Sequence, residues 1–361
     1  MALLVLGSNH AHASSFTAYA GPGCSGNSEQ LNRCGCSNIN RRGGYVFTYT
    51  GQTAAMYNQA GCTGVAHTRF GSSARGCSPF GWQSITCDGV TGYVTSLDLS
   101  ELRIYGRIDF VSLFRLPSLQ RLNLAYHYFD SSPFDPSGFE HLTSLTHLNL
   151  SYLHFYGQIP LEISRMTTLV SLDLSFNTYY EYLKLENPNI GAFVQNLSSL
   201  KELHLDWINI SAEGSGWGLA LSSALPRLRK LSLRGCGLSG PIHSSLSSLC
   251  FLSQLDLRGN DLSSVVPNLI GNFSSLTSLA LSDCGLHGKI PESIFRLPNL
   301  QTLDVGSNPL LTGEIPPNNT LREWSLSDTG FCSNLRDSFS NSKLLTMIHL
   351  SHCKLAGQFP S

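Results

Sequence analysis

A leucine pattern that returns about every two dozen residues leaves this chain little choice of fold. Segments of the form L-x-x-L-x-L, with apolar substitutes, begin at positions 94, 119, 145, 169, 200, 228, 252, 276, 300, 321 and 345. The commonest interval is 24 residues, and the longest, 31 and 28, start at positions 169 and 200. One such unit cannot bury its apolar face alone, whereas stacked neighbours can. The pattern therefore predicts an α/β leucine-rich repeat solenoid of about eleven coils over residues 88–361. Each coil needs a short parallel strand with inward leucines, then an Asn or Cys able to satisfy backbone groups at the turn. Asn177 and Asn260 stand at that position, as do Cys236, Cys284 and Cys353, which are expected as buried free thiols. Cys250 and Cys332 lie elsewhere and are assigned no partner. The chain stops at Pro360-Ser361 inside a coil, so the solenoid is expected to be C-terminally incomplete, with any membrane anchor beyond residue 361.

The residues ahead of the repeats are a different object. Residues 14–87 hold five arginines (Arg33, Arg41, Arg42, Arg69, Arg75) against one acid, Glu29, a formal +4, while the remainder of the chain carries −5. The total of −1 excludes a chain-wide nucleic-acid footprint, so no nucleic acid is expected as a partner. Six of the 11 cysteines, Cys24, Cys34, Cys36, Cys62, Cys77 and Cys87, crowd into the same segment. That density fits a small secreted domain stapled by three bridges, and the spacing lacks the C-x-x-C knuckles of a metal site. Tyr45-Val46-Phe47-Thr48-Tyr49, set between Gly43-Gly44 and Thr50-Gly51, reads as a strand, and recurring glycine turns predict a small antiparallel barrel or sandwich. Gly21-Pro22-Gly23-Cys24-Ser25-Gly26 formally matches G-x-G-x-x-G, but it has no strand before it and no helix after it, so no dinucleotide site is expected. Residues 1–13 read as a truncated signal-like segment: Ala2–Leu6 is apolar and Ala11-His12-Ala13 offers an A-x-A site, without a basic start.

Within residues 14–87, the runs Gly21-Pro22-Gly23-Cys24, Cys34-Gly35-Cys36-Ser37, Tyr49-Thr50-Gly51-Gln52-Thr53-Ala54-Ala55, Tyr57-Asn58-Gln59-Ala60-Gly61-Cys62 and Gly64-Val65-Ala66-His67-Thr68-Arg69-Phe70-Gly71 resemble the macadamia-type antimicrobial peptides, the β-barrelins. The resemblance implies a disulfide-rich Greek-key β-barrel, secretion, and activity against fungi and other microbes. It also implies the bridges Cys24–Cys77, Cys36–Cys62 and Cys34–Cys87. The five arginines are candidates for contact with anionic microbial membranes or cell wall.

Many coils end in G-x-I-P, as at Gly157-Gln158-Ile159-Pro160, Gly288-Lys289-Ile290-Pro291 and Gly313-Glu314-Ile315-Pro316. These motifs, and the run Ser293-Ile294-Phe295-Arg296-Leu297-Pro298-Asn299-Leu300, resemble plant extracellular repeats, specifically the receptor-like proteins of plant immunity. Five N-x-[ST] sequons, at Asn149, Asn196, Asn209, Asn272 and Asn318, are candidate glycosylation sites on such a surface.

No catalytic motif is present: there is no H-E-x-x-H, no G-x-S-x-G and no P-loop, and no cofactor is expected. Asp98, Asp173 and Asp256 recur at one strand position, as repeat residues do. What a solenoid offers is a concave sheet whose variable positions face a ligand. In coils five to seven these are Lys201, Glu202, His204, Asp206, Trp207, Arg229, Lys230, Arg234 and Arg258, the candidate site for a protein, peptide or glycan. Longer loops containing Tyr179-Tyr180-Glu181-Tyr182 and Gly214-Ser215-Gly216-Trp217 are expected beside it. The sequence thus points to a plant extracellular defence protein joining an antimicrobial barrel to a recognition surface. A directly antimicrobial secreted effector and a polygalacturonase-inhibitor-like binder of microbial enzymes are the alternatives.

Overall fold

The computed structural model describes residues 2–6, 14–21, 24–31, 35–41, 43–50, 53–57, 59–63, 66–76, 85–88, 93–100, 104–106, 113–114, 116–129, 133–134, 138–178, 182–210, 216–314, 316, 319–331 and 344–352. They fall into two compact units, residues 1–99 with 111–123, and residues 100–110 with 124–361.

The N-terminal part is built from β1 (Ala2–Leu6), β2 (Ser15–Gly21), β3 (Ser25–Leu31), β4 (Gly35–Asn38), β5 (Gly44–Thr48), β6 (Thr53–Tyr57), β7 (Ala66–Phe70) and β8 (Ala74–Gly76). They form two four-stranded antiparallel sheets, ordered β4-β1-β6-β7 and β3-β2-β5-β8. Strand periodicity sends alternate residues inward, so β2 buries Phe16 and Ala18 between half-exposed neighbours. Both sheets supply the core, where Phe16 and Phe47 meet Ala54, Met56 and Phe70. Phe16 stacks on Tyr45 at 5.4 Å and Phe47 leans on Phe70 at 5.1 Å. The Cys36–Cys62 bridge is formed. Cys87 is also disulfide-bonded, whereas Cys34 and Cys77 lie outside the described residues. Within the segment read as signal-like, the backbone of residues 2–6 is paired on both sides, Leu3 with Ser37 and Met56, Leu4 with Cys36 and Ala55.

β9 (Ile85–Cys87) turns back antiparallel onto β10 (Val94–Asp98), so the first coil clusters with the small sheets and the compact division falls beyond Cys87. Together with ten further strands these make a twelve-stranded sheet, eleven of them parallel. The ten further strands are three residues long and centred on the fourth position of each leucine motif. Leu172, Leu203, Leu231, Leu255, Leu279, Leu303 and Trp324 stand in one register row, all buried. Each such leucine contributes about 1.5–3 kcal/mol relative to exposure. The row is the solenoid's core.

Trp324 occupies an inward leucine position, and its indole is fully buried. Trp324→Ala should therefore lower unfolding stability by about 3–5 kcal/mol, through lost burial and the cavity left behind. Trp207→Ala, which removes a partly exposed ring, should shift the thermal midpoint far less. Equal midpoints for the two variants would mean that the register row is wrongly placed.

The two longest intervals are used differently from expectation. They hold short helices at Ile190–Val194 and Gly216–Ala224, the first capped by Asn189, whose Oδ1 accepts from Ala192 N at 2.9 Å. Trp217, expected on a loop beside the concave patch, is buried in the second helix with Leu221. The inserted residues hold their own apolar positions, and burying these against the helix 190–194 and the turn 244–248 outweighs exposing them. Tyr179–Glu181 and Gly214–Ser215 lie outside the described residues.

Candidate functional site

The parallel strands leave one side of the sheet open, and side chains beside the inward leucines project from it. There the structure forms a groove of about 460 Å³ running from His204 to His349. Of the expected site residues, it brings together His204, Lys230 and Arg258, and adds Gln254, Asp256, Thr302, Asp304 and Glu323. The remaining ones, Lys201, Glu202, Asp206, Trp207, Arg229 and Arg234, do not line it. Space is the reason. Ser278, Ala280, Thr302 and Ser325 are short and leave the groove open, a signal present in the sequence as small residues at projecting positions.

The charges along the groove are largely matched. Arg258 grips Asp256 with its Nε and Nη2, the latter 2.6 Å from Oδ2, and its Nη1 stands 3.7 Å from Asp304. The hydrogen bond to Asp256 raises the Arg258 pKa against the opposing effect of burial. Such forked pairs are geometrically specific, so Arg258 is a fixed cation. Lys230 pairs with Glu202 at 2.9 Å. Burial opposes the Glu202 charge, but hydrogen bonds from Lys230 and Ser171 hold its carboxyl below the usual range. Asp206 goes the other way: burial raises it, although it accepts from Ser232 Oγ at 2.6 Å and Arg234 N at 2.9 Å. Its work is structural.

The recurring strand carboxylates are turn-makers. Asp173, Asp256 and Asp304 accept from the backbone N–H two residues on, at 2.9, 3.1 and 3.2 Å. Asn149 does the same for Ser151 at 3.0 Å, which occupies the side-chain oxygen of that sequon. Asn196 and Asn272 are exposed and Asn209 is half-buried, while Asn318 lies outside the described residues. Cys236 and Cys284 are buried free thiols donating to Leu205 O and Leu257 O at 3.0 and 3.1 Å. Burial pushes the Cys236 thiol far up and the Cys284 thiol to about 12, so neither supplies a reactive thiolate. Cys250 is exposed and free, and Cys332 and Cys353 lie outside the described residues.

On the small sheets, Arg41 and Arg69 are exposed. Glu29, the single acid of this segment, is engaged in folding: Oε1 accepts from Asn40 N and Arg41 N at 2.5 and 2.6 Å. Arg33 and Arg42 lie outside the described residues, as does the side chain of Arg75. Cys24 donates to Tyr45 O at 3.3 Å. No helix among the described residues is long and apolar enough to cross a membrane, and no cluster among them could hold a metal ion.

Comparison with known proteins follows the division seen in the structure. Residues 14–89 match the MiAMP1 family, and residues 227–249, 251–273, 275–297 and 299–320 match the Leucine Rich Repeat. Antimicrobial peptide 1 of Macadamia integrifolia is 61% identical over 85 residues, 24% of this chain and 83% of that protein. Receptor-like protein 6 of Arabidopsis thaliana is 36% identical over 207 residues, 54% of this chain but only 20% of that protein. A solved structure described as the plant peptide hormone receptor RGFR1 in complex with RGF2 superposes with a TM-score of 0.58. It is 23% identical and covers 78% of this chain and 54% of that one, which fixes the fold. Neither of the two sequence relatives is described as an enzyme. Through residues 14–89 the chain belongs to the MiAMP1 family, and it continues into a leucine-rich repeat solenoid like those of plant receptor-like proteins.

Proposed function

We propose that this is an extracellular plant defence protein whose solenoid binds a peptide or protein segment in the groove between His204 and His349, while its barrel contacts microbial surfaces. The groove carries the reading. It is open along the sheet, walled by the fixed Arg258–Asp256–Asp304 cluster, and floored by short side chains that leave room for an extended chain. Backbone groups of a peptide can be met by Gln254, Thr302 and Ser325, and its charges by Lys230 and Glu323. The fold neighbour solved with RGF2 supports this occupant over a small molecule. For the barrel, 61% identity to an antimicrobial peptide and the formal +4 of residues 14–87 support contact with anionic surfaces.

The test uses the full chain against a panel of short synthetic peptides of varied charge. Ser278→Trp fills the groove without replacing an inward leucine, and should weaken a bound peptide by about 100-fold, the scale of a lost hot spot. Binding unaffected by Ser278→Trp would remove the groove from the proposal. In parallel, binding to anionic vesicles should fall as salt rises, because exposed charges are screened beyond about 10 Å at 0.1 M.

A further inference from the structure

A row of aromatic rings on the early coils is left unexplained by the groove. At one repeat position, just after the strand, the chain places Tyr126, Tyr152, Phe176 and Trp207, all with φ between 56° and 63°. Later coils fill the same position with Gly235, Gly259, Asp283, Ser307, Asp328 and His352, also at positive φ. This left-handed backbone suits glycine, Asp or Asn and disfavours bulky side chains. Four consecutive coils thus carry aromatic residues where the backbone opposes them and where the next five coils do without them. Residues kept against local preference mark function more often than folding.

Three of the rings are stacked in sequence. Tyr126 stacks on Tyr152 at 4.5 Å and 15°, and Tyr152 on Phe176 at 4.6 Å and 12°. Trp207 lies over Gly235, where an added Cβ would come within 3.1 Å of the indole. A second row starts at Tyr105 in the preceding coil and continues at Tyr128 and His154, two residues after Tyr126 and Tyr152. Tyr105 stacks on Tyr128 at 5.6 Å, and Tyr128 on His154 at 5.7 Å. Tyr105, Tyr126 and Tyr128 are each more than half exposed. Clustered exposed rings of this kind mark contact surfaces.

We propose that this strip binds a neutral, linear β-linked polysaccharide, at a surface separate from the peptide groove. Three properties select that occupant. The rows hold no Asp, Glu, Lys or Arg, and the charges beside Tyr152, on Asp173, Asp206 and Arg234, are of both signs, so an ionic ligand of either sign gains little. Stacking hides the ring faces and presents their edges, whose electropositive C–H rims and phenol hydroxyls suit the oxygens of a polyol. The rings repeat once per coil, at the spacing of neighbouring strands, a step close to one pyranose unit of an extended β-linked chain. A polymer with the same period can meet the same contact on successive coils, which a globular partner does not require.

The experiment titrates the full chain with cellohexaose and chitohexaose, which separates a glucose from an N-acetylglucosamine polymer, with the α-linked maltohexaose as control. One or both β-linked hexaoses should bind and maltohexaose should not. The double variant Tyr126→Ala with Tyr128→Ala, checked for an unchanged thermal midpoint, should bind about tenfold more weakly or worse. Tyr126→Phe with Tyr128→Phe keeps the rings and should show an intermediate loss. Ser278→Trp should leave saccharide binding intact, which separates this surface from the groove. The proposal is overturned if no β-linked hexaose binds, or if the alanine variant binds it like the unaltered chain, because the barrel or another face would then hold it. It is equally overturned if the alanine variant keeps the saccharide and loses the groove's peptide, because the strip would then belong to the peptide.

Discussion

Asn260→Ala should cost the solenoid about 4 kcal/mol or more and unfold it at a clearly lower temperature. One buried side chain here serves four backbone groups. Its Oδ1 accepts from Cys236 N and Leu238 N at 3.1 and 3.0 Å, and its Nδ2 donates to Leu233 O and Leu257 O at 2.8 and 2.7 Å. The site is closed to water, with Asn260 only 4% exposed. Alanine strands Cys236 N, Leu238 N and Leu233 O and leaves Leu257 O only the Cys284 thiol, and each unmet buried group costs about 1–3 kcal/mol. Asn177 and Asn308 repeat the arrangement two dozen residues or more away, so the effect belongs to the position. The chain also supplies its own comparison. Cys236 and Cys284 hold the same position and offer one donor in place of two, with only a weak sulfur acceptor for the neighbouring N–H groups. Asn260→Cys should therefore recover part of the alanine loss. Chemical denaturation of the three proteins measures it, and an Asn260→Ala midpoint within error of the parent would count against the ladder as a source of stability.

That position was readable in the sequence because it is periodic. The eleven leucine motifs, the Asn or Cys that follows and the inward placing of Trp324 all rest on a repeat, and one face of the strand must be buried for the repeat to exist. Trp217 had no such support: it sits in an insertion, where the period is broken and a buried helix looks like a loop. The binding face was half legible. Its side of the sheet follows from the strand pattern, but its extent depends on where short residues stand next to one another. The sequence favoured coils five to seven because Trp207 and the cations are conspicuous there. The groove reaches instead to His349, because Ser278, Ala280 and Thr302 make room and Arg258 is drawn onto its acids. The aromatic strip lay open to a coil-by-coil alignment of the residue before the Asn, Cys or equivalent position.

Least legible was the use of the first residues. Ala2–Leu6 has the composition of a leader, and composition does not reveal a pairing partner thirty or fifty residues away. The family match begins at residue 14 and ends at residue 89. It therefore excludes β1, which joins the small sheets, and includes β9, which joins the solenoid. Removing residues 1–13 from the full chain should open the sheet between β4 and β6, which meet only through β1. Both neighbours lose ladder partners along β1, from Ala2 to Leu6 on one side and Ala2 to Val5 on the other. An unpaired inner edge is among the costliest defects a small sheet can carry, and a loss of roughly 5 kcal/mol equals the whole stability of a marginal domain. The Cys36–Cys62 bridge still ties β4 to the turn after β6, so the expected result is local opening with the chain held together. Amide hydrogen exchange should quicken by orders of magnitude in Gly35–Asn38 and Thr53–Tyr57. The sheet of β2, β3, β5 and β8, which takes nothing from β1, should lose less protection, and the solenoid strands beyond Leu124 none. Unchanged protection in β4 and β6 would show that another segment fills the place of β1. Ile85–Cys87 is a candidate within the matched family segment, and its transfer would register as faster exchange at Val94–Asp98, the strand it now covers.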